Sequence, residues 1–136
     1  MGDEEMHTQQ LTQEERERYS RQMLLEGVGE AGQRKLFAAK VLIIGAGGLG
    51  SPAPMYLAAS GIGEIGIVDD DVVDLSNLQR QIAHRTADIG RKKAESMAAT
   101  LAALNSDVQL NTYRERISED NIEDILCDRS YDFVLD

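Results

Sequence analysis

The chain has 136 residues, 42% of them hydrophobic, and a formal net charge of −10. That length suits one domain around a single core, and the acidic balance argues against the basic footprint that general nucleic-acid affinity requires. A single cysteine, Cys127, excludes an internal disulfide framework and a CxxC zinc pair within these residues, and no apolar run approaches the roughly 20 residues of a membrane span.

The opening residues, MGDEEMHTQQ, are acidic and polar and cannot act as a secretory signal, so a cytoplasmic protein is expected. Residues 1–11 read as a flexible acidic leader. Thr12 and Glu15 have capping-box spacing, which predicts a helix from about Gln13 to Glu26 with Tyr19, Met23 and Leu24 as a narrow apolar stripe. A helix this polar is expected to lean on another surface. Gly27, Gly29 and Gly32 should break the chain before a short helix over Gln33 to Ala39, so residues 12–39 form a helical arm.

KVLIIG (Lys40 to Gly45) is a β-branched run ending in glycine, as expected of a buried parallel strand. A helix follows from Gly48 to Ser60, with Pro52 and Pro54 in its first turn and Gly61 as its stop. EIGIVD (Glu64 to Asp69) is the second strand. The stretch from Asp70 to Gly90 has no clean period and is long enough to suggest a functional loop. Arg91 to Asn105 is helical, with Ala94, Met97, Ala98, Leu101 and Leu104 on one face. Asp107 to Tyr113 is a third strand, Ser118 is expected to cap an acidic helix through Leu126, and YDFVLD (Tyr131 to Asp136) opens a fourth strand. The alternation predicts an α/β domain over residues 40–136, with a parallel sheet and helices on both faces. The fourth strand is expected beside the first. Because the sequence stops inside that strand, it is expected to be a fragment that associates or aggregates when alone and lacks activity.

GAGGLG (Gly45 to Gly50) matches G-x-G-x-x-G between a strand and a helix, the context that gives this short motif its meaning. Gly45 would permit the tight turn, Gly47 the approach of a phosphate and Gly50 close helix–sheet packing, while Asp69 is placed to hold ribose hydroxyls. Free amides at a helix start bind anionic oxygens. The pattern is that of a Rossmann-like nucleotide-binding domain. Glycines and Asp69 suit NAD as well as ATP. SNLQRQ (Ser76 to Gln81), Arg85 and the run Arg91, Lys92, Lys93 favour ATP, because expelling pyrophosphate calls for positive charge. An NAD-dependent oxidoreductase and a non-catalytic dimerisation module remain the alternatives. His84 is expected to be a loop residue with an ordinary hydrogen bond, and Cys127 a half-buried helix residue without a reactive role.

GAGGLGSPAPMYLAASGIGEIGIVDDDVVDLSNLQRQ, the later DIGRKKAES, and the arm's RYSRQ with GVGEAGQRKL together resemble the ThiF/MoeB/HesA family of ubiquitin-activating-like adenylyltransferases, from about residue 12 to 136. The resemblance implies adenylation of the C-terminal glycine of a small ubiquitin-like sulfur carrier, of the thiamin or molybdopterin type, by a homodimer that uses ATP and Mg2+. It implies that Gly45, Gly47 and Gly48 line the phosphates and that Asp69 holds the ribose. Asp71 would lie near adenylate and metal, and Asn77, Arg80 and Lys93 would grip the phosphate chain with Gln81 nearby. Arg21 would reach across the dimer into the partner's site. The family's magnesium-binding acid, the sulfur-carrying cysteine of some members and their zinc CxxC pairs would fall beyond Asp136, so the implied Zn2+ and the metal-binding acid have no counterpart in these residues.

Overall fold

The computed structural model describes residues 10–47 and 52–136. Most of the acidic leader and the second half of the glycine loop, including Gly48 and Gly50, lie outside the described residues. Strand β1 (Lys40–Ile44) runs parallel between β2 (Glu64–Val68) and β4 (Phe133–Leu135), and β3 (Gln109–Tyr113) pairs parallel with the far side of β2. The order β3-β2-β1-β4 matches the first four strands of the doubly wound dinucleotide-binding fold. As expected, β4 lies against β1. It forms the edge of the described sheet, with Phe133 66% exposed.

Side chains of a strand alternate between its two faces, and both faces are covered over β1 and β2, whereas Phe133, Val134 and Leu135 of β4 stay exposed. Val41, Ile43, Ile65 and Ile67 pack with Ala58 of helix α4 (Pro52–Ser60) and with Met97 and Leu101 of α5 (Lys93–Leu104). Leu42 and Val68 pack on the opposite face with Ile125 of α6 (Ile122–Asp128). Two close approaches fix the layer spacing. A Cβ on Gly66 would collide with Leu42 and the Tyr131 ring, and one on Gly63 would overlap the Phe37 carbonyl.

The arm departs from the uninterrupted helix expected. It forms α1 (Gln13–Arg18), opened by the Thr12/Glu15 capping box, and then α2 (Ser20–Met23). The break falls at Tyr19 because its ring is needed in the core: it is 1% exposed, stacks edge-on to Phe37 at 5.3 Å, and its hydroxyl accepts a 2.7 Å bond from Asn105 Nδ2. The surface the arm leans on is thus its own domain. Leu24, expected in the apolar stripe, is 79% exposed because α2 has ended before it. Gly29 and Gly32 lie inside α3 (Gly29–Ala38), which starts earlier than expected.

Other differences are local. Ser118 does not cap α6; its amide donates to Asn121 Oδ1, and the helix begins one turn later. Cys127 is exposed, since Ile125 and Leu126 take the inward side of α6. Leu104, at the very end of α5, is 41% exposed.

The overlap at Gly63 yields a test. Gly63→Ala forces backbone against backbone and should cost about 3 kcal/mol or more. Gly32→Ala, where only a Val28 methyl at 3.2 Å must yield, should be neutral or stabilising through helix propensity. Equal melting temperatures for the two variants would contradict this packing.

Candidate functional site

The site forms where β1 and β2 end. Gly45 leaves β1 with φ 93°, a conformation that a side chain would strain, and its amide donates 2.8 Å to Val68 O. The next residue, Ala46, is fully buried, and its amide donates 2.8 Å to Asp69 Oδ2. The other Asp69 oxygen accepts the Asp71 amide at 2.7 Å. One carboxylate therefore joins the glycine loop to the turn that carries the second acid. Gly47 faces Gln81: a Cβ there would stand 3.3 Å from Gln81 Nε2. Gln81 is 5% exposed, and its Oε1 is buried with no hydrogen-bond partner.

The long loop after Asp69 is ordered by short local bonds. Asp74, Ser76 and Asn77 form a capped 3-10 turn in which the Asp74 amide donates 2.9 Å to Asn77 Oδ1. Bonds to Ser76 from the backbone and side chain hold the Asp74 carboxyl below the usual range, with the Lys93 charge assisting. The Arg80 and Gln81 amides both donate to Asn77 O, so Asn77, Arg80 and Gln81 belong to one turn. Arg80 is exposed, with Nη1 2.7 Å from Ser76 O.

The chain then doubles back. Val73 and Arg91 exchange a backbone bond, Val72 bridges Lys92 antiparallel, and the Lys93 amide donates 2.9 Å to Asp71 O. This ladder sets the first residue of α5 beside the Asp69–Asp71 turn. Lys93 is 7% exposed, with Nζ 3.8 Å from Asp71 Oδ2. Its neighbours differ: Arg91 is exposed and pairs with Asp88 at 2.9 Å, while the part-buried Lys92 reaches the same turn only at its backbone, with Nζ 3.4 Å from Asp70 O. Spacing alone could not separate three adjacent cations, but burial does. A buried ammonium with one loose ion pair retains capacity for a further anion.

Asp69, Asp70 and Asp71 offer carboxylate oxygens within 4.8 Å of one another; Asp69 and Asp71 were expected near ribose and metal, and Asp70 joins them. Asp69 is committed to two amides, whereas Asp70 and Asp71 are exposed.

The structure brings together Gly45, Gly47, Asp69, Asp71, Gln81 and Lys93, with Asn77 and Arg80 on the adjoining turn. Arg21 is not among them. It is exposed on α2, and the next residue, Gln22, bonds Ser60 O at the C-terminal end of α4. That contact lies one helix length, about 13 Å at 1.5 Å per residue, from the first residue of α4.

One loop residue is more deeply embedded than expected. His84 is 4% exposed, with Nε2 2.7 Å from Ala46 O and Nδ1 2.7 Å from Ser96 Oγ. Ser96, fully buried on the apolar face of α5, was the available signal, since a hydroxyl there needs a partner.

Comparison with known proteins agrees with this geometry. Residues 19–136 match the ThiF family. The chain is 51% identical to the adenylyltransferase and sulfurtransferase UBA4 of Candida glabrata over 94% of its own length and 29% of the relative's. It is 48% identical to a probable adenylyltransferase/sulfurtransferase, MoeZ of Mycobacterium tuberculosis, over 93% of the chain and 32% of that protein. It thus spans about a third of these curated relatives. Among solved structures, the E. coli tRNA N6-threonylcarbamoyladenosine dehydratase TcdA superposes with TM-score 0.84 and 28% identity, both with AMP and with ATP. Those superpositions cover 93% of this chain and about half of TcdA. Glycine loop, acidic turn and returning lysine therefore stand in a fold already known in nucleotide complexes, and the chain belongs to the ThiF family.

Proposed function

We propose that this protein binds ATP and uses it to adenylate the C-terminal glycine of a small ubiquitin-like sulfur carrier. The observation that carries the reading is the buried Lys93, delivered by the residue 71–73 and 90–93 ladder to the Asp69–Asp71 turn beside the glycine loop. The names of the relatives, adenylyltransferase and sulfurtransferase, support the reaction class.

The chemistry fits a site without a histidine or cysteine nucleophile. A C-terminal carboxylate has a pKa of about 3.5 and is ionised at neutral pH, so attack needs no general base. A carboxylate oxygen bonds to the α-phosphorus, the bond to the bridging oxygen breaks, and pyrophosphate leaves with the electron pair. Gly45 and Gly47 would present amides to the phosphates and Asp69 would hold the ribose. Lys93, Arg80 and Asn77 would stabilise the departing charge, with Gln81 at the loop's back. The exposed carboxylates of Asp70 and Asp71 suit a hard, oxygen-seeking cation. Asp71 would lie beside magnesium, which neutralises phosphate charge when bound.

The position of Arg21 supports the homodimer implied by the family resemblance. Exposed beside the C-terminal end of α4, it would act in another protomer's site rather than in its own.

In the full-length protein, ATP–pyrophosphate exchange in the presence of the carrier tests the reaction. Arg80→Ala and Lys93→Ala should each slow exchange by about a hundredfold or more, with melting temperatures nearly unchanged for Arg80. Arg91→Ala removes the pair with the buried Asp88, which keeps the Arg85 amide, and should change the rate by less than about threefold. Equal losses at Arg91 and Lys93 would refute the assigned phosphate grip. Mixing inactive Arg21→Ala protomers with inactive Lys93→Ala protomers should restore partial exchange, because a hybrid dimer rebuilds one intact site. Hybrid dimers without activity would return Arg21 to its own protomer.

A further inference from the structure

We infer that His84 is a positioning residue for the phosphate-binding amide of the glycine loop, an inference that rests on the nucleotide reading of this site. Both polar groups of Ala46 are held by side chains from outside the loop: its amide by Asp69 Oδ2 at 2.8 Å, its carbonyl by His84 Nε2 at 2.7 Å. A carbonyl oxygen only accepts, so Nε2 carries the hydrogen of this bond. Ser96 Oγ, 2.7 Å from Nδ1, holds the ring's other edge to α5.

The consequence follows from peptide geometry. In a trans peptide the C=O and the following N–H lie in one plane and point in opposite directions, and no cis peptide is present among the described residues. Drawing the Ala46 oxygen inward to the buried His84 therefore turns the Gly47 N–H away from the core. That amide makes no backbone hydrogen bond among the described residues, and it sits on a loop whose first turn is already set by Gly45. Donors aimed in advance at an anion cost no reorganisation when it arrives. His84 would thus touch neither the nucleotide nor the reacting atoms, and would act through the Ala46–Gly47 peptide.

His84 also couples three elements. The His84 amide bonds Gln81 O at 3.1 Å, so the turn bearing Asn77, Arg80 and Gln81 leads directly into the ring that holds the glycine loop. Ser96 lies one turn beyond Lys93 on α5. The imidazole thus ties the glycine loop to α5, and the His84 backbone ties it to the polar turn.

Binding of ATP and of adenosine to the full-length protein separates positioning from simple support of the core. His84→Phe keeps the ring volume and removes both bonds. It should weaken ATP about tenfold or more while leaving adenosine within about twofold. His84→Gln, whose Nε2 can reach the same carbonyl, should recover most of the ATP affinity; His84→Asn, too short for it, should not. If His84→Phe fails to fold, Ser96→Ala, which frees the far edge of the ring and also removes a bond to Asp88, should show the same ATP-selective weakening on a smaller scale. Parallel losses of ATP and adenosine, or unchanged ATP affinity in a folded His84→Phe protein, would overturn the inference while leaving the nucleotide site intact. An unsubstituted protein that binds neither ligand would overturn the nucleotide reading as well.

Discussion

The Asp69 carboxylate is the joint on which the rest of the site depends. One oxygen accepts the Ala46 amide at the end of β1, and the other accepts the Asp71 amide in the turn after β2. Two parallel strands thereby deliver a glycine loop and an acidic turn to the same place, held by a bond between them rather than by proximity alone. Bonds from backbone amides to an ionised carboxylate are stronger than those between neutral groups, and this one lies past the carboxyl ends of β1 and β2, the edge of an open α/β sheet at which ligands bind. Around that joint the sheet adds rigidity through Ile43, Ile65 and Ile67, which are buried to within 1% of full exclusion.

The charged half of the site is assembled by a different device. A segment of some twenty residues with no periodic pattern returns on itself through the Val73–Arg91 and Val72–Lys92 pairings, so α5 starts next to β2's end. Burying a lysine is costly unless it is paired, and its 3.8 Å partner Asp71 is exposed. The cost is consistent with a group retained for an incoming anion. An acidic protein of net charge −10 thus concentrates usable positive charge at one internal point, where local placement matters more than the total.

The sheet, its parallel pairing and the β4–β1 neighbourhood were legible because β-branched runs ending in glycine or aspartate have few alternative structures. The glycine loop, Asp69 and the SNLQRQ turn were legible because their chemistry resides in residue type and order. What escaped was set by tertiary contact. Tyr19 interrupts its helix because a ring is required against Phe37 and Asn105, and nothing within the helical pattern announces that. His84 read as an ordinary loop residue since its partners, Ala46 and Ser96, are 38 and 12 residues away. Lys93 could not be told from Arg91 and Lys92 without knowing which of three neighbours faces inward.

The central claim is that this crevice accepts a triphosphate rather than a nicotinamide dinucleotide. Titration calorimetry of the full-length protein with ATP and magnesium, and separately with NAD, measures it most directly. Saturable ATP binding that is lost in Lys93→Ala, with no comparable heat from NAD, is the result this account predicts. Micromolar NAD binding with no detectable ATP binding would contradict it.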